Sequence, residues 1–425
     1  MENKDYKSRY IDSKVQKYLH TFGAVCIEGP KWCGKTWTSE HAANSEIKIG
    51  DPSGNFQNRQ LAMISPDLVL GGEAPHLIDE WQEVPELWDA VRTEVDKRNS
   101  KGQFILTGSA TPQVKGVLHS GAGRIGRLRM RTMTLYEAGN STGAVSLEDI
   151  CRGRAETAAD GEVKLTELID LVLRGGWPGS QGLNTDQARI VAEDYLNAVL
   201  ESDISRITDV RINTNKVEQM LCSLARNEST TASVNKLKND IRETDGKGIE
   251  NSTLDFYLDL LDRLFLLDNQ KPFSTSMRSS VRVKQQEKRH FADPSLAASL
   301  LKATPEKLLG DLNTFGFLFE ALVEHDLRIY AESFGAQLLH YQDYRGREID
   351  SVIEMEDGSW CAAEIKLGAN QIDAAAASLL KIRQEFENDE KAVPPSELLV
   401  VCGMSRAAYR RPDGVYVVPI TSLRA

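Results

Sequence analysis

The chain has 425 residues, of which 41% are hydrophobic and 27% charged, an ordinary composition for a soluble globular protein. This length exceeds what one hydrophobic core usually supports, so we expect about two to four domains. The formal net charge of −11 excludes a surface coated throughout for phosphate binding. Any surface for DNA or RNA must therefore be a local basic patch on an acidic body.

The amino terminus and the cysteines predict a cytoplasmic protein. The segment "MENKDYKSRYIDSK" is charged and has no apolar stretch, so we expect no secretory signal. No window approaches the roughly 20 apolar residues that cross a bilayer, and we expect no membrane association. The six cysteines show no zinc-binding spacing. Cys26, Cys361 and Cys402 lie in apolar runs, which is typical of reduced core thiols.

A phosphate-binding loop is predicted within "AVCIEGPKWCGKTW". An apolar run from Ala24 to Ile27 is followed by Gly-x-x-x-x-Gly-Lys-Thr and by the start of a helix. Glycines let backbone N–H groups turn toward phosphate oxygens, and the amino end of the helix adds positive partial charge. Lys35 would reach the β- and γ-phosphates, and Thr36 would bind Mg²⁺. The residues predicted to surround the phosphates are Gly29, Pro30, Lys31, Trp32, Cys33, Gly34, Lys35 and Thr36.

Two later strands are predicted to complete this site. In "APHLIDEWQEVPELW", Asp79 would help to hold Mg²⁺, and Glu80 would polarise the attacking water. In "GQFILTGSATP", Thr107 and Ser109 end an apolar run and would sense the γ-phosphate, although a plain Gly-Ser turn is the alternative. ATP and Mg²⁺ are therefore the predicted ligands.

These three motifs resemble the AAA-type ATPases whose carboxyl half carries the DUF4143 region. The family signature runs GPRxxGKT, then DEIQ with a following VP, then ILTGS, and this chain has GPKWCGKT, DEWQEVP and ILTGSA. Lys31 replaces the usual arginine, and Trp81 replaces the usual aliphatic residue. The resemblance implies ATP hydrolysis and a homo-oligomer, in which one subunit's arginine completes the next subunit's site.

A second glycine motif, "GAGRIG", matches the dinucleotide-binding pattern in its letters alone. It lacks the preceding strand and following helix that a dinucleotide fold needs, so we reject it as a cofactor loop. Family members carry a similar Gly-Arg here, which makes Arg124 a candidate γ-phosphate contact, in cis or from a neighbouring subunit. A solvated basic face formed by Arg124, Arg127, Arg129 and Arg131 is the alternative.

The middle of the chain is predicted to be helical. Residues 140–165 are small, polar and mixed in charge, which indicates a linker or loose insertion. Three helices followed by a strand-like segment between Val217 and Leu267 are typical of a winged helix, which binds DNA or serves as a protein–protein platform. The basic stretch that follows is interpreted as a solvated loop, with a phosphate-backbone contact as the alternative; its cations are Arg278, Arg282, Lys284, Lys288 and Arg289.

The segment "REIDSVIEMEDGSWCAAEIK" predicts a β-hairpin that turns at Glu356-Asp357-Gly358. This turn places Asp350 opposite Glu364, with Glu348 and Lys366 on the same face. Two facing carboxylates repel unless a cation lies between them, and a divalent metal would serve. The pattern resembles the PD-(D/E)xK nuclease fold, which implies a further metal ligand from the preceding helix, here Glu320. Asp350 and Glu364 would then be metal ligands, and Asp350, Glu364 and Lys366 would be the catalytic residues.

We therefore predict an α/β protein with a P-loop ATPase domain (1–140), a helical linker region (141–213), a winged-helix-like domain (214–290) and a restriction-endonuclease-like α/β domain (291–425). Two functions stay open. The first is an ATP-hydrolysing enzyme that processes DNA or RNA through the nuclease-like domain. The second is a nucleotide-gated switch that binds a protein or DNA partner with an inactive nuclease fold. A third possibility is that ATP only stabilises the fold.

Overall fold

The computed structural model describes residues 6–110, 119–208, 210–245, 249–275, 285–343, 346–390 and 392–425. Of the basic stretch predicted at 278–289, the residues up to 284 lie outside this range. The described residues form two large sheets with helices on their faces and a helical region between them. The predicted α/β class, with an amino-terminal P-loop domain and a carboxyl-terminal sheet domain, is confirmed.

The amino-terminal sheet has five parallel strands in the order β2-β3-β4-β1-β5. Parallel sheets are covered on both faces, which is why β1, β3 and β4 are short, nearly continuous apolar runs. The strands are β1 (Ala24–Glu28), β2 (Ser45–Lys48), β3 (His76–Asp79), β4 (Phe104–Gly108) and β5 (Ile125–Arg129). The helices around them are α1 (Ile11–Thr21), α2 (Lys35–Ala42), α3 (Ser53–Ile64) and α4 (Glu86–Arg98).

The glycines of "GAGRIG" lead into a strand rather than a helix. Gly126 lies within β5, where it pairs with Val25 of β1. A Cβ on Gly126 would collide with the rings of Phe22 and Tyr18, so glycine allows α1 to pack closely on the sheet. The motif therefore serves packing and lacks the strand–turn–helix context of a dinucleotide site.

The region between the sheets is mainly helical. Its longer helices have apolar residues at helical spacing, and their buried faces meet in a shared core. The helices are α5 (Leu135–Ala138), α6 (Leu147–Cys151), α7 (Leu165–Arg174), α8 (Thr185–Ala198), α9 (Ile204–Arg206), α10 (Thr214–Arg226), α11 (Val234–Asp245) and α12 (Asn251–Arg263). A π-helical turn at Val199–Asp203 joins α8 to α9.

The carboxyl-terminal sheet has seven strands in the order β7-β12-β13-β11-β10-β9-β8. Its helices are α13 (Pro294–Leu300), α14 (Pro305–Gly310), α15 (Leu312–Ser333) and α16 (Ile372–Glu387). Its strands are β7 (Ala158–Ala159), β8 (Gln337–Gln342), β9 (Glu348–Glu354), β10 (Trp360–Lys366), β11 (Glu397–Cys402), β12 (Ala407–Arg410) and β13 (Tyr416–Pro419). Two further short strands, β6 (Val145–Ser146) and β14 (Leu423–Arg424), pair with each other in a separate small sheet.

The prediction of a loose linker at residues 140–165 is wrong. Strand β6 pairs with β14, and β7 pairs with β12, so this segment is bound to the carboxyl-terminal domain. Leu147 and Ile150 of α6 are fully buried in the same core as residues of α15 and β11. The polar composition misled because a few apolar residues of the segment, Val145, Leu147, Ile150 and Cys151, are buried in this core.

The hairpin of β9 and β10 has the predicted register. Trp360 pairs with Glu354, and Ala363 pairs with Ser351. The same register, extended by one residue, places Asp350 opposite Glu364. The turn is the predicted three-residue loop, closed by a hydrogen bond from Met355 N to Ser359 O of 2.8 Å. Gly358 has a φ of 83°, the left-handed conformation that this loop type requires.

Candidate functional site

The phosphate loop connects the end of β1 to the start of α2, as predicted. Gly34 has a φ of 107°, which glycine adopts readily. A Cβ on Gly29 would collide with the carbonyl oxygen of Met130. The Lys35 ammonium lies inside the loop and donates to the carbonyl oxygens of Gly29 and Pro30 at 3.0 and 2.8 Å. The loop therefore has the backbone shape and the buried cation that a phosphate group needs.

Asp79 lies beside this loop because β3 and β1 are parallel strands separated only by β4. Its Oδ1 atom accepts hydrogen bonds from the hydroxyls of Thr36, at 3.0 Å, and Thr107, at 2.5 Å. Burial raises the pKa of Asp79, and the Thr107 hydroxyl opposes this shift. The structure thus brings together Thr36, Asp79 and Thr107 as the sequence predicts.

Glu80 has an uncommon backbone conformation, with a φ of 58°, which is rare for residues other than glycine. Its carboxylate accepts a hydrogen bond from the Ser109 hydroxyl at 3.0 Å and another from the Gln82 amide. Its backbone N–H donates to the Thr107 hydroxyl at 3.0 Å. Glu80 and Ser109 are therefore in direct contact, and Gln82 joins them although the sequence did not single it out.

Arg9 also contacts the phosphate loop, and the sequence did not predict this contact. Its guanidinium donates to the carbonyl oxygens of Cys33 and Arg131, each at 2.9 Å, and lies 3.2 Å from the Glu137 carboxylate. Arg9 is buried and precedes the first helix, far from the loop in sequence. No local pattern in the amino terminus indicates this contact.

A cavity of about 1740 Å³ opens beside the loop. Its walls come from the amino-terminal domain and from the helical region, and they include Lys35, Thr36 and Glu80 on one side and Gln181 and Arg206 on the other. Pockets of about 300–1,000 Å³ are typical for small ligands, so a nucleotide fits with space to spare. Trp32 and Trp37, whose exposed fractions are 63% and 51%, also line it.

Lys31 connects the loop to the helical region. Its Nζ atom lies 2.5 Å from Oδ1 of Asp203, the last residue of the π-helical turn. The Asp203 side chain is 8% exposed, whereas that of Lys31 is 40% exposed. This ion pair spans 172 positions of sequence and was not predicted.

Arg124 lies beside the amino-terminal end of β1, whereas the phosphate loop follows the carboxyl-terminal end of this strand. Its carbonyl oxygen accepts from the N–H of Ala24, the first residue of β1, whereas the loop follows the last residue. The length of β1, roughly 13 Å from end to end, separates them, and the Arg124 side chain pairs with Asp96 at 2.9 Å. A γ-phosphate contact in cis is therefore wrong; a contact with a neighbouring subunit stays a prediction.

Two of the other arginines of this stretch, Arg129 and Arg131, hold the domains together, whereas Arg127 is exposed and pairs with Glu28 of β1 at 2.6 Å. The Arg131 guanidinium lies 2.5 Å from the Asp268 carboxylate and 3.1 Å from Glu332, and it is buried. Arg129 lies 3.6 Å from the same aspartate. Burial alone would raise the pKa of Asp268, but Arg131 and the neighbouring arginines hold this pKa well below its usual range.

The hairpin brings Asp350, Glu364 and Lys366 together. The Lys366 ammonium lies 2.7 Å from the Glu364 carboxylate and 3.3 Å from that of Asp350. The Ile365 N–H also donates to Asp350 at 2.8 Å. Burial and the neighbouring Asp350 carboxylate raise the pKa of Glu364 to about 7. These three predicted residues thus form one cluster.

Glu320 contacts the buried Lys288, although the basic run around this lysine predicts a solvated loop. The Lys288 ammonium donates to Glu320, to Glu324 at 2.8 Å and to the carbonyl oxygen of Asp350 at 3.3 Å. Burial alone would lower the pKa of Lys288, but the Glu324 and Glu320 carboxylates raise this pKa above its usual value. A protonated lysine therefore lies between the acidic helix α15 and the acidic hairpin. Nowhere in the described parts of the chain are three or more His, Cys, Asp or Glu residues grouped so as to hold a metal ion.

His290 extends this cluster into the helical region. Its Nδ1 atom lies 2.9 Å from Glu228, and its Nε2 atom lies 3.0 Å from Glu324. Burial alone would lower the pKa of His290, but Glu324 and Glu228 raise it to about 9. Burial also opposes the ionisation of Glu324, yet Lys288 and His290 lower its pKa to about 2. Two cations therefore neutralise the buried acids.

Three family models match the chain. The AAA domain model matches residues 21–139, the domain of unknown function DUF4143 matches 315–423, and the domain of unknown function DUF8612 matches 165–307. The first match covers the phosphate loop, Asp79, Glu80 and Thr107, and the second covers the acidic hairpin. The sequence resemblance to AAA-type ATPases with a DUF4143 region is thereby confirmed.

Two curated proteins are similar to part of the chain. An uncharacterized protein of Mycobacterium bovis and one of Mycobacterium tuberculosis are each 27% identical over 199 residues. These matches cover 46% of this chain and 39% of each relative, so the chain spans about two fifths of the length of the curated relatives it matches.

Among solved structures, the Walker-type ATPase PABY2304 of Pyrococcus abyssi is similar, with a TM-score of 0.45 and 14% identity. The match covers 70% of this chain and 97% of that one. Because the TM-score is below 0.5, this likeness supports no conclusion about fold or function.

The matches place an AAA domain before a carboxyl-terminal DUF4143 region, which is the arrangement of the AAA-type ATPases that the sequence resembles. The loop, the paired acids and the strand order described above agree with this class. No helix within the described residues combines the length and the apolar character needed to cross a membrane.

Proposed function

We propose that the protein binds and hydrolyses ATP with Mg²⁺ in the cavity beside the phosphate loop. The observation that carries this proposal is the contact of Thr36, Asp79 and Thr107 next to a buried Lys35. Loop N–H groups and Lys35 would bind the phosphates, and Lys35 would exchange its two carbonyl partners for phosphate oxygens. Glu80, held by Ser109 and Gln82, would orient the attacking water and accept its proton.

The donor set at this site fits Mg²⁺. The Thr36 hydroxyl and the Asp79 carboxylate offer adjacent oxygen atoms, and Mg²⁺ prefers oxygen ligands and uses few protein groups when phosphates are present. Thr36 and Asp79 would hold the ion, directly or through water. When bound, Mg²⁺ neutralises charge that develops on the phosphate oxygens.

The Glu80→Gln variant tests this function. We expect its kcat for ATP hydrolysis to fall by about 100-fold or more, because loss of a general base typically has an effect of this size. ATP affinity should stay within about 3-fold of the wild type, because the loop is intact. Glu86→Gln, an exposed acid in the first turn of α4, is the matched control. Wild-type protein without ATPase activity, or a fully active Glu80→Gln variant, would refute the proposal.

We further propose that ATP turnover gates a docking surface, and that the carboxyl-terminal domain binds a protein or DNA partner without cutting nucleic acid. Lys288 supports this alternative, because its ammonium occupies the space between Glu320, Glu324 and the Asp350 carbonyl. A cation that is part of the chain neutralises these acids, so a divalent metal is not needed there. The partner and the homo-oligomer implied by the family stay predictions.

The competing function, an ATP-linked nuclease, is favoured by the Asp350, Glu364 and Lys366 cluster. Incubation with single- and double-stranded DNA and RNA, with Mg²⁺ or Mn²⁺ and with or without ATP, distinguishes the two. We expect no cleavage. Cleavage by the wild type that is lost in Asp350→Ala would establish the nuclease and exclude the docking module.

A lysine replacement gives a second measurement. Lys288→Gln removes the resident cation, so we expect a loss of about 3–5 kcal/mol of stability and a new rise in Tm with Mn²⁺ as the freed acids bind the ion. Lys271→Gln, an exposed lysine on the preceding segment, should show neither effect. A wild type whose Tm also rises with Mn²⁺, by an amount that Asp350→Ala abolishes, would instead indicate a metal site.

A further inference from the structure

The π-helical turn Val199–Asp203 brings one buried acid into the nucleotide cavity. Asp203 lies at the end of this turn and lines the cavity, whereas Val199 and Ile204 beside it are buried in the large core. π-helical turns are rare and are frequently found at functional sites. The turn thus joins a packed apolar segment to a charged group at the cavity.

The partner of Asp203 is a residue of the phosphate loop itself. Lys31 lies two positions after Gly29, and its ammonium is 2.5 Å from the Asp203 carboxylate. Charge-assisted hydrogen bonds of this kind are roughly twice as strong as neutral ones. Because the aspartate is buried, removing Lys31 would leave the Asp203 charge without this compensation.

The same segment contacts the helical region on its other side. The carbonyl oxygen of Ile207 accepts a hydrogen bond from the guanidinium of Arg263, at the end of α12, at 3.2 Å. Leu264, the next residue, lines the cavity and is buried. Residues 199–208 therefore lie between the phosphate loop and α12, in contact with both.

We infer that Asp203 is a positioning residue for the nucleotide site. It holds Lys31, and with it the phosphate loop, in the shape that binds phosphate, so that nucleotide binding and the conformation of residues 199–208 are coupled. The inference rests on the proposed ATP-binding function. Coupling is reciprocal: if the segment supports nucleotide binding, bound nucleotide must stabilise the segment by the same free energy.

The first measurement is nucleotide affinity and turnover of single variants. For Asp203→Asn we expect a Kd for Mg·ATP about 10-fold higher, the change that loss of one charge-assisted hydrogen bond produces. The kcat at saturating ATP should change by less than about 3-fold, because Asp203 does not touch the reacting groups. Asp203→Glu should recover part of the affinity. Glu201→Gln, an exposed acid on the same turn, is the matched control and should bind ATP like the wild type.

Variants of Lys31 test the same inference if Asp203→Asn folds poorly. Lys31→Met breaks the same pair from its more exposed side, whereas Lys31→Arg preserves it. We expect Lys31→Met to weaken ATP binding as Asp203→Asn does, and the double variant to be no weaker than either single variant, because one interaction is lost in all three. Additive losses in the double variant would overturn the inference.

Hydrogen exchange supplies a readout that a merely structural role would not change. In the wild type, Mg·ATP should slow amide exchange in residues 199–208, and this protection should be absent in Asp203→Asn but present in Glu201→Gln. Unchanged affinity in Asp203→Asn, or equal protection in it and the wild type, would overturn the inference. If the wild type does not bind ATP at all, the proposed function fails instead.

Discussion

Thr107 fixes the two acidic residues of the nucleotide site relative to one another. Its hydroxyl donates to the Asp79 carboxylate and accepts from the Glu80 N–H. The side chain is fully buried, so both hydrogen bonds form away from water. A residue in the left-handed region, as Glu80 is, persists only where its surroundings hold it. We therefore regard Thr107 as the support of the Glu80 conformation.

Replacement of Thr107 by valine, which has the same shape, should lower kcat for ATP hydrolysis by about 10-fold or more. The loss of a buried hydrogen bond is worth about 1–3 kcal/mol, and here it loosens Glu80. ATP affinity should change by less than about 3-fold, and Thr107→Ser should retain activity. Steady-state kinetics with Thr93→Val, an exposed helical threonine, as control would check this. Equal loss in Thr107→Ser would contradict it.

At the scale of elements, two glycines show when glycine is required. Gly358 ends the hairpin turn with a φ of 83°, and a Cβ there would meet no neighbour. Gly316 lies within helix α15, where a Cβ would also meet open space. The two sites have the same available space but differ in backbone conformation. Only the first needs glycine.

Gly358→Ala should therefore destabilise the protein by about 1 kcal/mol, because an L-residue in the left-handed region is strained. Gly316→Ala should stabilise it by about 0.5–1 kcal/mol, because alanine is the better helix former. Urea unfolding monitored by circular dichroism would measure both. Changes of the same sign in the two variants would show that backbone conformation does not decide the outcome.

The elements that the sequence predicted well are those determined by local pattern. The phosphate loop, the acids at the end of β3 and the hairpin register each depend on a few adjacent residues and on alternation along a strand. Parallel pairing then brings Thr36, Asp79 and Thr107 together without further information. Fold class and the nucleotide site could therefore be predicted.

The contacts that the sequence did not predict join distant parts of the chain. Lys288 belongs to a basic run that is typical of an exposed loop, yet it is buried against two acids on α15. Arg9 and Asp203 carry no motif, and their partners lie far away in sequence. A charged residue is predicted to be exposed unless its partner is known, and the partner is known only once the domains have packed.

At the scale of the whole molecule, buried charges join the helical region to the carboxyl-terminal domain. Glu228 follows α10, His290 precedes α13, and Glu324 lies on α15. All three are buried, and the His290 ring lies 2.9 Å from the Glu228 carboxylate and 3.0 Å from that of Glu324. The junction therefore depends on His290 keeping its proton.

The stability of the protein should fall as pH rises above about 7. Glu324 and Glu228, against the effect of burial, raise the pKa of His290 from 6.5 to about 9. A group whose pKa is raised by folding stabilises the protein fully when the pH is below its pKa in the unfolded state. This stabilisation is lost as the pH rises past its pKa in the folded state. This contribution is about 3 kcal/mol.

Unfolding free energies at pH 6 and pH 9.5 would test this expectation. The difference between the wild type and His290→Gln should shrink by about 3 kcal/mol across this range. His20→Gln, an exposed histidine on α1, should leave the pH dependence unchanged. A constant difference between wild type and His290→Gln at both pH values would mean that folding does not shift the pKa of His290, which would contradict the expectation.

The pairing of β7 with β12 affects how the protein can be divided. A fragment that begins at residue 291 would contain β12 but lack β7, so one strand edge of the seven-stranded sheet would lose its partner. It would also lack α6, whose Leu147 and Ile150 are buried against the carboxyl-terminal domain. Unpaired strand edges and exposed apolar surface promote aggregation. A fragment that is to stay monomeric must therefore carry residues 141–163 as well, although more than a hundred residues separate them from it in the chain.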